Sequence, residues 1–187
     1  MNISQLPNFI TLARIASVPI LIIALDQQDY RLALAIFVLA GLSDGLDGLI
    51  AKRYHCATRL GGILDPAADK ILLVGAYVML TVLGHVPFWL MLVVAFRDLL
   101  IVGGYLVYTS MYGPVQMRPS ALSKFNTLAQ IVLVAVVLVQ EAFAIGHPRT
   151  IDVLAYVVLA TTVASGFHYL WTWGVMKDIE SADGRST

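Results

Sequence analysis

The chain has 187 residues, 59% of them hydrophobic and 13% charged, with 12 basic and 12 acidic side chains and no formal net charge. Soluble domains carry about 25% charged residues, so this chain has too little polar surface to face water on every side. The balanced charge excludes a basic nucleic-acid footprint, and the single cysteine, Cys56, excludes a disulfide framework or a Cys-based zinc site.

The first apolar stretch, about 8–26, has no basic segment ahead of it and is interrupted by Arg14. It therefore reads as a retained helix rather than a cleaved signal peptide. Five more stretches follow at about 32–53, 62–84, 88–111, 122–146 and 152–175. Each is near the ~20 residues needed to cross a hydrocarbon core of about 30 Å. Pro87, Gly113-Pro114 and Pro148 mark turns between them, and the short connections suit antiparallel neighbours. The expected fold is all-α, a polytopic membrane protein with six transmembrane helices. Residues 1–176 form the transmembrane domain and 177–187 a frayed polar tail. With the N-terminus inside, the cytoplasmic side receives Lys52, Arg53, Arg59, Arg118, Lys124, Lys177 and Arg185; the other side receives only Arg31 and Arg149. The positive-inside rule therefore puts both termini in the cytoplasm.

Asp44 and Asp47 fall late in the second helix, Asp65 and Asp69 early in the third. A carboxylate at mid-membrane costs about 2.5–3.5 kcal/mol even on the gentlest scale. The spacings i, i+3 and i, i+4 put each pair on one helix face. Four clustered carboxylates repel one another unless cations neutralise them. Hard ions such as Mg²⁺ or Mn²⁺ take oxygen ligands, and two of them about 3.5–4 Å apart make a clamp for phosphoryl chemistry. The competing reading is a proton relay, or ion pairs with Arg14, Lys70 and Arg97. Gly48 and Gly61 allow a ligand close approach, whereas Gly41 and Gly45 read as a helix-packing face. Pro66 fits best if Asp65 stands at a helix start.

Residues 44–69 read D-G-L-D-G-L-I-A-K-R-Y-H-C-A-T-R-L-G-G-I-L-D-P-A-A-D. This resembles the signature of the CDP-alcohol phosphatidyltransferases, D-x2-D-G-x2-A-R-x8-G-x3-D-x3-D. Asp44, Asp47, Gly48, Ala51, Gly61, Asp65 and Asp69 match in type and spacing. Lys52 departs: it stands where the family has Arg, and it lacks the planar fork that grips phosphate. The resemblance implies two metal ions held by Asp44, Asp47, Asp65 and Asp69, with Gly48, Ala51, Lys52 and Gly61 around the nucleotide and diphosphate of CDP-diacylglycerol. Asp69 would take the proton of the acceptor alcohol, and CMP would leave. It also implies a homodimer in a bacterial or organelle inner membrane, with the site on the cytoplasm-equivalent side.

The opening Pro7-Asn8-Phe9-Ile10-Thr11-Leu12-Ala13-Arg14 is similar to one shared by phosphatidylglycerophosphate synthases and mitochondrial-type cardiolipin synthases. Arg97-Asp98 and Ser123-Lys124-Phe125-Asn126-Thr127 resemble the second group. They nominate Arg97, Asp98, Lys124 and Asn126 for the acceptor, which would be phosphatidylglycerol, giving cardiolipin. The alternative is glycerol 3-phosphate. Asp98, adjacent to Arg97, is expected to face elsewhere, and Tyr169, Trp171 and Trp173 to form an interfacial belt. An aspartate-rich prenyltransferase would call for more helices and different glycine spacing. A carboxylate-relay transporter would call for internal repeats or broken helices, and neither is present in the sequence.

Overall fold

Each apolar stretch becomes one helix: α1 (Leu6–Asp26), α2 (Tyr30–Tyr54), α3 (Gly61–Val82), α4 (Phe88–Tyr112), α5 (Ala121–Phe143) and α6 (Pro148–Asp183). The computed structural model describes residues 6–54, 61–112 and 120–183, and among them there are six helices and no strand. The side chains of 44–54, 61–67, 69 and 172–183 are among those outside the described residues.

Local chemistry sets the helix ends. At the end of α1, Asp29 N–H donates to Ala24 O (2.8 Å) and Gln28 N–H to Leu25 O (2.9 Å). These are the two bonds of a Schellman cap, with Gln28 in the left-handed region at φ 59°. Asp29 also opens the next helix, its Oδ1 accepting from Leu32 N–H at 3.1 Å, an N-cap bond. The end of α3 repeats the cap, with His85 N–H on Leu80 O, Gly84 N–H on Thr81 O and Gly84 at φ 82°. Ser120 caps α5 by accepting from Ser123 N–H at 3.2 Å, and Pro148 opens α6, where a missing N–H costs nothing.

The chain divides into two packed units, Met1–Val86 with Ile131–Ile151, and Pro87–Gln130 with Asp152–Thr187. In the first, α1 packs on α2 and α3, which also touch each other. Val18, Leu21 and Leu25 of α1, Ala33, Phe37 and Ala40 of α2, and Leu72, Ala76 and Leu80 of α3 are buried there. The spacings of three, four and seven are those of helix faces. A Cβ on Gly75 would lie 3.4 Å from Val18 Cγ1, so α1 and α3 run close together. In the second unit Leu90, Val94, Ala155 and Val158 are buried. Large apolar side chains elsewhere stand exposed, including Leu39, Val82, Phe96, Leu99 and Phe167.

Among the described residues, Ala121–Phe143 and Arg149–Tyr169 are long and apolar enough to cross a membrane, and Tyr30–Ser43 and Lys70–Val82 are shorter apolar segments. Two boundaries differ from expectation. α3 begins at Gly61, so Asp65 and Pro66 fall in its second turn rather than at its start. α6 runs to Asp183, past Lys177, where a frayed tail was expected; its 36 residues span about 54 Å at 1.5 Å each. Its last turns are polar, so hydropathy alone does not register their helical continuation.

Candidate functional site

The backbone carries Asp44, Asp47, Gly48, Ala51 and Lys52 on the last three turns of α2, and Gly61, Asp65 and Asp69 on the first turns of α3. The two helices touch. The side chains of these eight residues lie outside the described residues. Among the described residues no group of three or more acidic, histidine or cysteine side chains is placed to hold a metal. Within the carboxylate stretch the described neighbours of Asp69 are Ala68, fully buried, and Lys70, half-buried.

The second unit holds a polar cluster that is described in full. Arg97 of α4 is 5% exposed. Its Nη2 donates to Ser123 Oγ of α5 at 2.7 Å and to Ser165 Oγ of α6 at 2.6 Å. Its Nη1 donates to Asp98 Oδ1 at 2.9 Å, which corrects the expectation that Asp98 faces elsewhere. Adjacent helix positions diverge by about 100°, but the long arginine stem lets the guanidinium turn back. Tyr169 lies with its ring centroid 6.0 Å from Arg97 Cζ, at the outer limit for a cation–π contact; the sequence placed it in an interfacial belt. The planar fork thus ties α4, α5 and α6 together.

One turn along α5 from Ser123, Asn126 is fully buried, and its Oδ1 accepts from Thr162 Oγ1 (2.9 Å) and Thr161 Oγ1 (2.8 Å). Asn126 Nδ2, Arg97 Nε and both amide atoms of Gln130 are buried without a hydrogen-bond partner. An orphaned buried polar group costs about 1–3 kcal/mol. Lys124 is exposed. The structure therefore brings Arg97, Asp98 and Asn126 into one cluster and leaves Lys124 at its surface. Ser165, Thr161 and Thr162 escaped the sequence reading. Their signal was a run of small hydroxyl residues, at spacings of three and four, in an otherwise apolar α6.

A further cluster lies in the first unit. His85 Nδ1 is 3.3 Å from Glu141 Oε1, and its Nε2 is 2.8 Å from the Tyr30 hydroxyl. Glu141 accepts, so in the neutral ring Nδ1 carries the proton and Nε2 accepts from Tyr30. Burial, and then the Glu141 charge, raise the Tyr30 phenol above its ordinary value. It therefore keeps its proton through the neutral range. Arg31 Nε donates to Ala142 O at 3.2 Å beside this group.

Comparison with known proteins identifies the family. The family profile described as CDP-alcohol phosphatidyltransferase matches residues 4–170. A human cardiolipin synthase (CMP-forming) is 32% identical over 180 residues, covering 88% of this chain and 60% of the relative. A Bacillus subtilis CDP-diacylglycerol–glycerol-3-phosphate 3-phosphatidyltransferase is 32% identical over 190 residues, covering 92% of this chain and 97% of the relative. A probable phosphatidylglycerophosphate synthase of Mycobacterium tuberculosis is 36% identical over 104 residues, covering 52% of this chain and 50% of the relative. The chain spans 60% of the length of the human and rat cardiolipin synthases. Identity alone does not separate the two named activities.

Proposed function

Because the chain belongs to the CDP-alcohol phosphatidyltransferase family, we propose that it transfers the phosphatidyl group of CDP-diacylglycerol to an alcohol. The acceptor hydroxyl oxygen attacks the lipid-side phosphorus, the bond from that phosphorus to CMP breaks, and CMP leaves. Asp69 takes the hydroxyl proton, the general-base role that a carboxylate within reach of the acceptor can fill. Asp44, Asp47, Asp65 and Asp69 would hold two Mg²⁺ or Mn²⁺ ions, which, when bound, would offset charge on the diphosphate oxygens. Gly48, Ala51 and Gly61 leave room for the nucleotide, and Lys52 supplies a point charge to the phosphates. The observation that carries this reading is the full set of motif carboxylates and glycines, shared by two helices that touch.

The preferred acceptor is phosphatidylglycerol, giving cardiolipin. Arg97-Asp98 and Ser123–Thr127 favour it, and the buried cluster around Arg97 suits a phosphate-bearing alcohol. Glycerol 3-phosphate is the second reading, favoured by coverage of 97% of the Bacillus relative. The exposed apolar side chains support a lipid environment, since soluble monomers rarely leave large apolar patches bare. Six spans with both termini cytoplasmic, and a homodimer, complete the proposal.

Purified protein given CDP-diacylglycerol and, separately, phosphatidylglycerol, glycerol 3-phosphate, inositol phosphate or serine identifies the acceptor by the lipid formed. Asp44→Asn is expected to abolish CMP release, a loss of at least a thousandfold in view of the metal's share in phosphoryl transfer. Full activity in that variant removes the metal assignment.

A further inference from the structure

The contacts around Arg97 leave two buried carboxamides unexplained. Asn126 and Gln130 are four residues apart, so they share one face of α5. The two threonines engage one end of the Asn126 amide. Turning that amide over would move the threonines onto its nitrogen and orphan its oxygen instead. In either orientation one end remains over, and Gln130, 0% exposed, has neither end paired. A phosphate oxygen only accepts hydrogen bonds, and the spare donors of Arg97 already match it. A carboxamide both donates and accepts, and so does an alcohol hydroxyl. We propose that Gln130, with Asn126, binds the hydroxyl groups of the acceptor and so determines which alcohol is used. This rests on the phosphatidyltransferase reading above and adds a specificity residue to it.

The test is Gln130→Leu, which keeps the volume and removes both polar atoms, in the full chain purified in detergent. Three readouts are taken: acceptor KM, CDP-diacylglycerol KM, and the thermal midpoint with and without short-chain phosphatidylglycerol or glycerol 3-phosphate. The expected result is an acceptor KM raised about tenfold, the loss of one or two neutral hydrogen bonds, with the donor KM unchanged. The midpoint without acceptor holds or rises, because an unpaired polar group is gone, and the shift produced by acceptor shrinks. An unchanged acceptor KM with a lowered midpoint means that Gln130 only holds buried water, and overturns the assignment. An equal change in donor KM overturns it too. Wild-type protein that neither releases CMP nor gains stability with any acceptor removes the transferase reading itself. Active wild type with an unaltered acceptor KM in Q130L removes only the role of Gln130.

Discussion

Arg97 has five N–H donors, of which one is spent on Asp98 and two on Ser123 and Ser165. What remains is one Nη1 proton and the buried, unpartnered Nε–H. Such a guanidinium is held by contacts to two other helices before any ligand arrives, and it keeps two spare donors on different edges. Its ion pair with Asp98 is largely shielded from solvent, the side chains being 6% and 16% exposed, so removing one partner strands the other. Lysine keeps the charge but presents a single point that cannot reach two serines on two helices at once. Arg97→Lys is therefore expected to raise the acceptor KM at least tenfold and to lower the thermal midpoint, with the CDP-diacylglycerol KM unchanged. Steady-state kinetics with each substrate varied in turn make the check. A wild-type acceptor KM in R97K would falsify the phosphate-binding role and leave only a tether between helices.

At the scale of elements, the helix ends store strain that substitution can relieve or worsen. α1 and α5 both end on a non-glycine residue in the left-handed region, Gln28 at φ 59° and Ala144 at φ 50°. An L-residue there costs about 1–2 kcal/mol relative to a permissive backbone, less the entropy glycine loses on folding. Ala144→Gly is expected to stabilise the turn between α5 and α6 by a few tenths to about 1 kcal/mol. Gly146, two residues on, is the converse: at φ 136° a Cβ would collide with the Gln140 side chain. Gly146→Ala should cost about 1–3 kcal/mol. Thermal unfolding in detergent ranks the two variants on either side of wild type, and the same sign for both discards the strain argument. These caps also mark the limit of what sequence conveys. Apolar length and Pro or Gly punctuation located all six helices, because those signals are local. The Asp65 turn was misplaced because Gly61-Gly62 joins the helix rather than ending before it. The Tyr30–His85–Glu141 group was invisible because Tyr30 and His85 are 55 residues apart, and no periodicity links such positions. Asn126 and Arg97 were found through charge and motif; Ser165 and Thr162 were not, since small hydroxyl residues in an apolar helix also arise simply from packing.

For the whole molecule, the decisive question is whether the two connections flanking α2 open on opposite sides of a bilayer. Lipid is as apolar as leucine, so helices within it are held by close packing and polar contacts rather than by burial from water. The near approach of Gly75 to Val18 and the Arg97 tether across three helices fit that regime. The basic residues 52, 53 and 59 follow α2, while Arg31 stands alone at its start. The positive-inside rule leads to the expectation that the 55–60 connection faces the cytoplasm and the α1–α2 turn faces away. Cys56, the sole thiol, is a built-in probe of the first side. For the second, Gln27, exposed in the α1–α2 turn, is replaced by cysteine in a Cys56→Ser background. In right-side-out membrane vesicles a membrane-impermeant maleimide should label the Gln27→Cys protein at once and the native chain only after the vesicles are opened. Inverted vesicles should reverse the order. If both positions react from one side, α2 does not cross the bilayer, the aspartates of α2 and α3 lose their place at the inner face, and lipid-linked CDP must be reached by another geometry.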